Sequence, residues 1–143
     1  MHSIEPKYTN IILDTNVIVS ALLIPDSIPA YIISLVKTNL VVPLVNDEII
    51  TEYSLVLHRP KFNFTNNKIE EMLDIIFDKS IFVTKTQSYP NPIDEDDAVF
   101  IELTMSTRST FNTYLITGNI KHFPKVDYIL TPRQFLELIG DER

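Results

Sequence analysis

Residues 10–23 read NIILDTNVIVSALL, and the way this stretch is read decides the fold. Three apolar residues, Ile11, Ile12 and Leu13, run straight into Asp14. After Thr15 and Asn16 the chain turns apolar again. The first run predicts a short strand buried on both faces, and 17–23 predict a buried helix stopped near Pro25. A carboxylate at that junction has two readings. It is a helix cap, a role open to Asp14 or Thr15 and worth about 1 kcal/mol, or it is the first ligand of an active site.

Outward from this junction the same alternation repeats. Apolar runs at 41–44, 81–84, 114–117 and 129–130 predict further strands. Between them, Tyr31, Ile32, Leu35 and Val36 fall at helical spacing, and Asn46 or Asp47 is placed to cap a third helix that Arg59-Pro60 ends. Thr65 begins a fourth, with Ile69, Met72, Leu73, Ile76 and Phe77 on one face. Asp94 opens a fifth through about Ser106. Thr131-Pro132, a cap followed by proline at the first helical position, opens the last, to Ile139. Short apolar strands alternating with helices imply an α/β fold around a parallel sheet. In such sheets ligands bind beyond the carboxyl ends of the strands, and Asp14 lies there.

Composition narrows the chemistry. The 143 residues fit one domain, taken as 1–143, with no internal repeat, linker or low-complexity tract. Two glycines, Gly118 and Gly140, leave no Gly-rich phosphate loop. The absence of cysteine excludes disulfides, thiolate metal sites and cysteine nucleophiles. No G-x-S-x-G elbow occurs, and His2, His58 and His122 lack metal-ligand spacing. No apolar run is long enough for a membrane span, and the first ten residues lack a signal-peptide pattern, so a cytoplasmic location is expected. A net charge of −7 means that any role on a polyanion must rest on bound cations or a local basic patch.

Four features carry candidate chemistry. Asp14 follows a strand. Glu52, in DEIITEYSLVLH, falls on the apolar stripe of its helix, between Ile49 and Val56, where a lone charge is costly without a partner. It can also reach out to water from the edge of that stripe. Asp94, Glu95, Asp96 and Asp97 crowd one helix start, more than capping and the macrodipole require. Asp97 lies on the side of Phe100 and Ile101, turned towards the protein. YLITGNIKHF ends another strand in Thr117, Gly118 and Asn119, where Asn119 brings an amide oxygen or a left-handed turn. Oxygen-rich sets without Cys or His suit Mg²⁺ or Mn²⁺, which activate water for attack on a phosphodiester.

ILDTNVIVSALL, EIITEYSLVL, DEDDAVFIELTM and YLITGNIKHF, in this order and across essentially the whole chain, resemble the PIN (PilT N-terminus) domain family, especially its bacterial toxin branch. The resemblance implies a three-layer α/β/α sandwich with a central parallel sheet, and a Mg²⁺- or Mn²⁺-dependent ribonuclease. It places Asp14, Glu52 and Asp97 as metal-binding carboxylates, with Asp96 an auxiliary ligand. The fourth family position, often aspartate, is Asn119 here. Thr15, Asn16 and Thr117 are expected around Asp14, with Arg59, Lys61 and Lys121 as substrate contacts. RNA, a small antitoxin protein and a second copy of the chain are the implied partners.

Competing readings are weaker in the residues themselves. An aspartyl phosphatase commonly has a second aspartate two positions after its nucleophile, where this chain has Asn16. A receiver-like domain expects an acidic pair near the first strand, and only Asp14 fits. A degenerate PIN domain that binds RNA or protein without cleaving is the remaining alternative, and Asn119 is the feature behind it.

Overall fold

The structure, a computed structural model, describes residues 9–84 and 95–140. Five strands, β1 (Thr9–Leu13), β2 (Val41–Val45), β3 (Ile81–Phe82), β4 (Thr113–Ile116) and β5 (Ile129–Leu130), form one all-parallel sheet in the order β3-β2-β1-β4-β5. Six helices accompany it: α1 (Thr15–Leu23), α2 (Ile28–Lys37), α3 (Asp47–Leu57), α4 (Asn66–Lys79), α5 (Glu95–Thr107) and α6 (Pro132–Leu138). This is the α/β fold around a parallel sheet that the alternation of elements predicts, in the α/β/α form that the family resemblance implies.

The central strand is the most buried. Ile11, Ile12 and Leu13 are almost wholly enclosed, as a parallel strand covered on both faces requires. α5 packs on β1 and β4, α2 and α4 on β2, and α6 on β5. Near-complete burial along α5 extends to Thr104 and Thr107, whose hydroxyls donate to the carbonyls of Phe100 and Leu103, both at 2.8 Å. That pairing removes the cost of burying them.

Helix starts are written locally. Ser27, Asn46, Thr65 and Thr131 each accept a backbone N–H three residues on, from Ala30, Ile49, Lys68 and Gln134. At α6 the Gln134 side chain returns the bond to Thr131, closing a capping box.

Three expectations are corrected. Strand β3 is two residues long rather than 81–84, and both Ile81 and Phe82 are exposed at the sheet edge. Leu44 pairs with Ile81 and Val45 with Phe82, and because β2 ends at Val45, where Asn46 caps the next helix, 83–84 have no strand opposite them; Val83 adds only one N–H to the Val45 carbonyl at 2.9 Å. Phe77 does not join the buried face of α4; it lies 61% exposed and meets Phe82 edge-on, ring centres 5.1 Å apart. Strand β4 is Thr113–Ile116 rather than 114–117. The expected helix start at Asp94 lies outside the described residues.

Among the described residues no single helix is long and apolar enough to cross a membrane. Helices α1 and α2 reach that length only together, bent by 103°, and both line the core.

Candidate active site

The chain leaves β1 for β2 and β3 on one side, then returns to add β4 and β5 on the other. The strand order therefore reverses between β1 and β4, and a crevice forms there at the strands' carboxyl ends. Asp14 and Thr117 each follow one of these two strands. Their amides extend the ladders, Asp14 N–H to the Ile116 carbonyl and Thr117 N–H to that of Leu130, both at 2.9 Å.

The side chains at this junction close a polar network. Oδ2 of Asp14 accepts from the Thr117 hydroxyl at 2.7 Å and from the Asn16 amide at 2.8 Å. Asn16 in turn accepts the Gly118 N–H at 2.9 Å, and the Thr117 hydroxyl accepts the Asn119 N–H at 3.0 Å. Gly118 serves close approach: a Cβ there would stand 3.2 Å from the Asn16 amide oxygen. Asn119, with φ −110°, does not use the left-handed conformation open to it by sequence, and it is exposed.

Asp14 occupies the N-cap position of α1, with extended φ and ψ, yet its side chain makes no capping bond. Thr15, the alternative cap, is the first helical residue instead. Among the described residues its buried hydroxyl has no hydrogen-bond partner, and Thr15 reaches Asp14 through its backbone amide. Asp14 is only 5% exposed, and burial raises its pKa above the ordinary carboxylate value. The Thr117 hydroxyl, the Thr15 and Asn16 amides and the Asn16 side chain oppose that rise. All of these are neutral, so the carboxylate is solvated by dipoles rather than matched by a cation.

Glu52 and Asp97 lie on two helices, α3 and α5, that pack against one another. In α3, Ile49, Tyr53, Val56 and Leu57 are buried and Glu52 sits half-buried at the stripe's edge. The neighbouring Tyr53 hydroxyl donates to the carbonyl of Leu13 at 2.5 Å, fixing α3 to the end of β1. Burial, then the charge of Asp14, push the Tyr53 pKa well above its usual value, so it stays a donor. Its ring stacks on Phe100 of α5, centroids 6.2 Å apart. One turn before Phe100, Asp97 lies 3.7 Å from His122 Nδ1, which joins the start of α5 to the turn after Asn119. The aromatic contact and the Tyr53 hydroxyl bond are not visible in sequence, which shows only Tyr53 next to Glu52 and Phe100 three residues after Asp97.

Other candidates are placed differently. Arg59 and Lys61 are exposed beyond the end of α3, where Lys61 lies 5.1 Å over the Phe62 ring. Arg59 is two helical turns past Glu52, about 10 Å of rise, and no side-chain contact among the described residues joins either cation to Asp14. Lys121 is exposed in the Ile120–His122 turn, two residues after Asn119. The Asp96 side chain lies outside the described residues.

The fit to a divalent metal rests on donor chemistry. Among the described residues no three His, Asp or Glu side chains form a ready-made cage. Mg²⁺ does not demand one, since it commonly takes one or two carboxylates and keeps water or substrate phosphate on its other positions. Asp14, a buried carboxylate with only neutral hydrogen-bond donors, suits such a cation, and Glu52 and Asp97 offer further oxygens.

An all-parallel sheet with an acidic residue at its switch point defines the class of α/β proteins that work on ligands at the strand ends. Within it, residues 10–121 match the PIN domain family, and the chain belongs to that family. PIN domains are generally metal-dependent nucleases acting on RNA. The chain is also similar to the uncharacterized protein MJ1680 of Methanocaldococcus jannaschii, 26% identical over an alignment covering 96% of each.

Proposed function

We propose that the protein is a Mg²⁺- or Mn²⁺-dependent ribonuclease, the toxin of a toxin–antitoxin pair, acting in the cytoplasm as a homodimer held in check by a small antitoxin. The observation that carries the catalytic part is Asp14. It takes a cap position and withholds its side chain from the cap, and Asn16 and Thr117 hold it buried at the sheet's switch point. Asp14, Glu52 and Asp97 would hold the metal, with Asp96 and the amide oxygen of Asn119 as further contacts. A bound divalent ion supplies a water of lowered pKa and charge stabilisation at the phosphate.

The chain's own groups set that site up. Asn16 and Thr117 fix the Asp14 carboxylate in one orientation, and Tyr53 fixes the strand end that carries it. Thr117 also holds the Asn119 backbone, so residues from β1 and β4 move as a unit. Lys121 is placed to contact phosphate, which gives affinity without sequence readout. Arg59 and Lys61 would touch only more distant parts of a long RNA.

A second reading, a non-cleaving PIN module for RNA or protein, is favoured by the neutral, exposed Asn119. Incubation with RNA in Mn²⁺, Mg²⁺ or EDTA, with Asp14→Asn and Asp97→Asn alongside, separates the two. Metal-dependent cleavage lost in both variants supports the nuclease. Absence of cleavage in every metal leaves the binding module, and cleavage unchanged in both variants removes Asp14 and Asp97 from the reaction and overturns the assignment.

A further inference from the structure

A cavity of about 560 Å³ opens against the turn that follows Asn119. Buried Phe123 and Ile129, with half-buried Ile120 and Val126, give it apolar walls, while Lys121 and Lys125 line it as exposed cations. Its lining also includes Leu130, whose carbonyl accepts the Thr117 N–H, so cavity and Asp14 crevice share one strand end. Gln134 lines it too; its amide oxygen is held by the Thr131 N–H at 2.9 Å, which turns the NH₂ into the end available as a donor.

We propose that this cavity is a base-binding subsite, taking one unstacked nucleobase of single-stranded RNA while Lys121 and Lys125 take the flanking phosphates. The proposal rests on the ribonuclease reading above and gives it a substrate form. Three observations carry it. The volume lies within the roughly 300–1,000 Å³ of pockets for small organic ligands, large enough for a base and too small for a helix. Among the described residues the lining holds two lysines and no carboxylate, in a chain whose net charge is −7. The cavity begins at the residue after Asn119, so a nucleotide seated there leads its neighbouring phosphates towards Asp14. Apolar walls with a cationic rim are how single strands are held, bases splayed out of the stack and backbone on lysines.

The test uses the full chain in EDTA at low salt, with fluorescence anisotropy of a labelled oligouridylate and of an abasic oligomer of equal length. The wild type is expected to bind the base-bearing oligomer about tenfold more tightly, the scale of one stacked base. Val126→Trp, which fills the cavity, should abolish that preference and leave abasic binding intact. Lys125→Glu should weaken both oligomers alike and flatten the dependence of log K on log salt by about 0.7, which keeps the test open if the Trp variant misfolds. The proposal is overturned if the wild type shows no base preference, if Val126→Trp retains it, or if that variant changes only the oligomeric state. Cleavage assayed in parallel with Mn²⁺ separates the two levels. Base preference without cleavage removes the nuclease and keeps the subsite, whereas cleavage without base preference does the reverse.

Discussion

Asp14 and Asn46 occupy the same structural position: each directly follows a parallel strand, and each stands at the N-cap of the next helix. Asn46 behaves as the position invites and accepts the Ile49 N–H at 2.9 Å. Asp14 caps nothing with its side chain; its carboxylate is turned to Asn16 and Thr117. The neighbours explain the difference. Strand β1 lies at the switch point, where β4 brings a hydroxyl to meet the carboxylate, whereas the far side of β2 meets only the two-residue edge strand β3. A residue type that serves as punctuation at one strand end becomes chemistry at the next.

Exchanging the roles of the two positions is the strongest test. Asp14→Asn should lower RNA cleavage by at least about 100-fold, as expected for loss of a metal-holding carboxylate. The same change should raise the unfolding midpoint in EDTA at neutral pH. Burial holds the folded pKa of Asp14 above its ordinary value of 3.8, so the folded state keeps its proton to higher pH than the unfolded state. Stability of the wild type therefore falls as pH rises from near 3.8 through the folded pKa, and the variant lacks that fall. A variant less stable than the wild type at pH 7 would contradict this account. Asn46→Ala should do the opposite, costing about 1 kcal/mol in denaturant unfolding while cleavage per folded molecule stays unchanged.

Smaller effects follow the network outward. Thr117→Val removes the donor to Asp14 and the acceptor for the Asn119 N–H together. Metal affinity by calorimetry, or cleavage, should fall about 10–100-fold, the range for residues that orient a ligand. Tyr53→Phe keeps the stack on Phe100 but strips the Leu13 carbonyl of its partner, costing about 1 kcal/mol and severalfold in cleavage. Gly118→Ala should have the least effect, since its Cβ would crowd the Asn16 amide at 3.2 Å without a forbidden φ. A severalfold drop in cleavage with an unchanged unfolding midpoint is expected there.

Local signals made most of the fold readable. The caps Asn46, Thr65 and Thr131, the apolar strands and the stripe carrying Glu52 all depend on residues within one or two turns of each other. What local pattern could not reveal depends on partners far along the chain. The Asp14–Thr117 bond spans 103 residues, and without it Thr15 is as good a cap on paper as any other. The Leu13 carbonyl meets Tyr53 across 40 residues. Strand β3 reads as a full strand because periodicity says nothing of where its neighbour β2 stops, at Val45, and Phe77 reads as core because the helical stripe does not report where the sheet ends. Arg59 and Lys61 follow the end of α3, and neither their charge nor that position reports in sequence how far they stand from Asp14.

The Asp14–Thr117 bond has a consequence for the protein during its own synthesis. A chain emerging from the ribosome presents Asp14 well before Thr117, which follows 103 residues later. Until β4 inserts beside β1, the carboxylate has neither its hydroxyl partner nor the Asn119 turn. The nascent protein therefore carries Asp14 through the synthesis of all those residues, surrounded by RNA, without an assembled site.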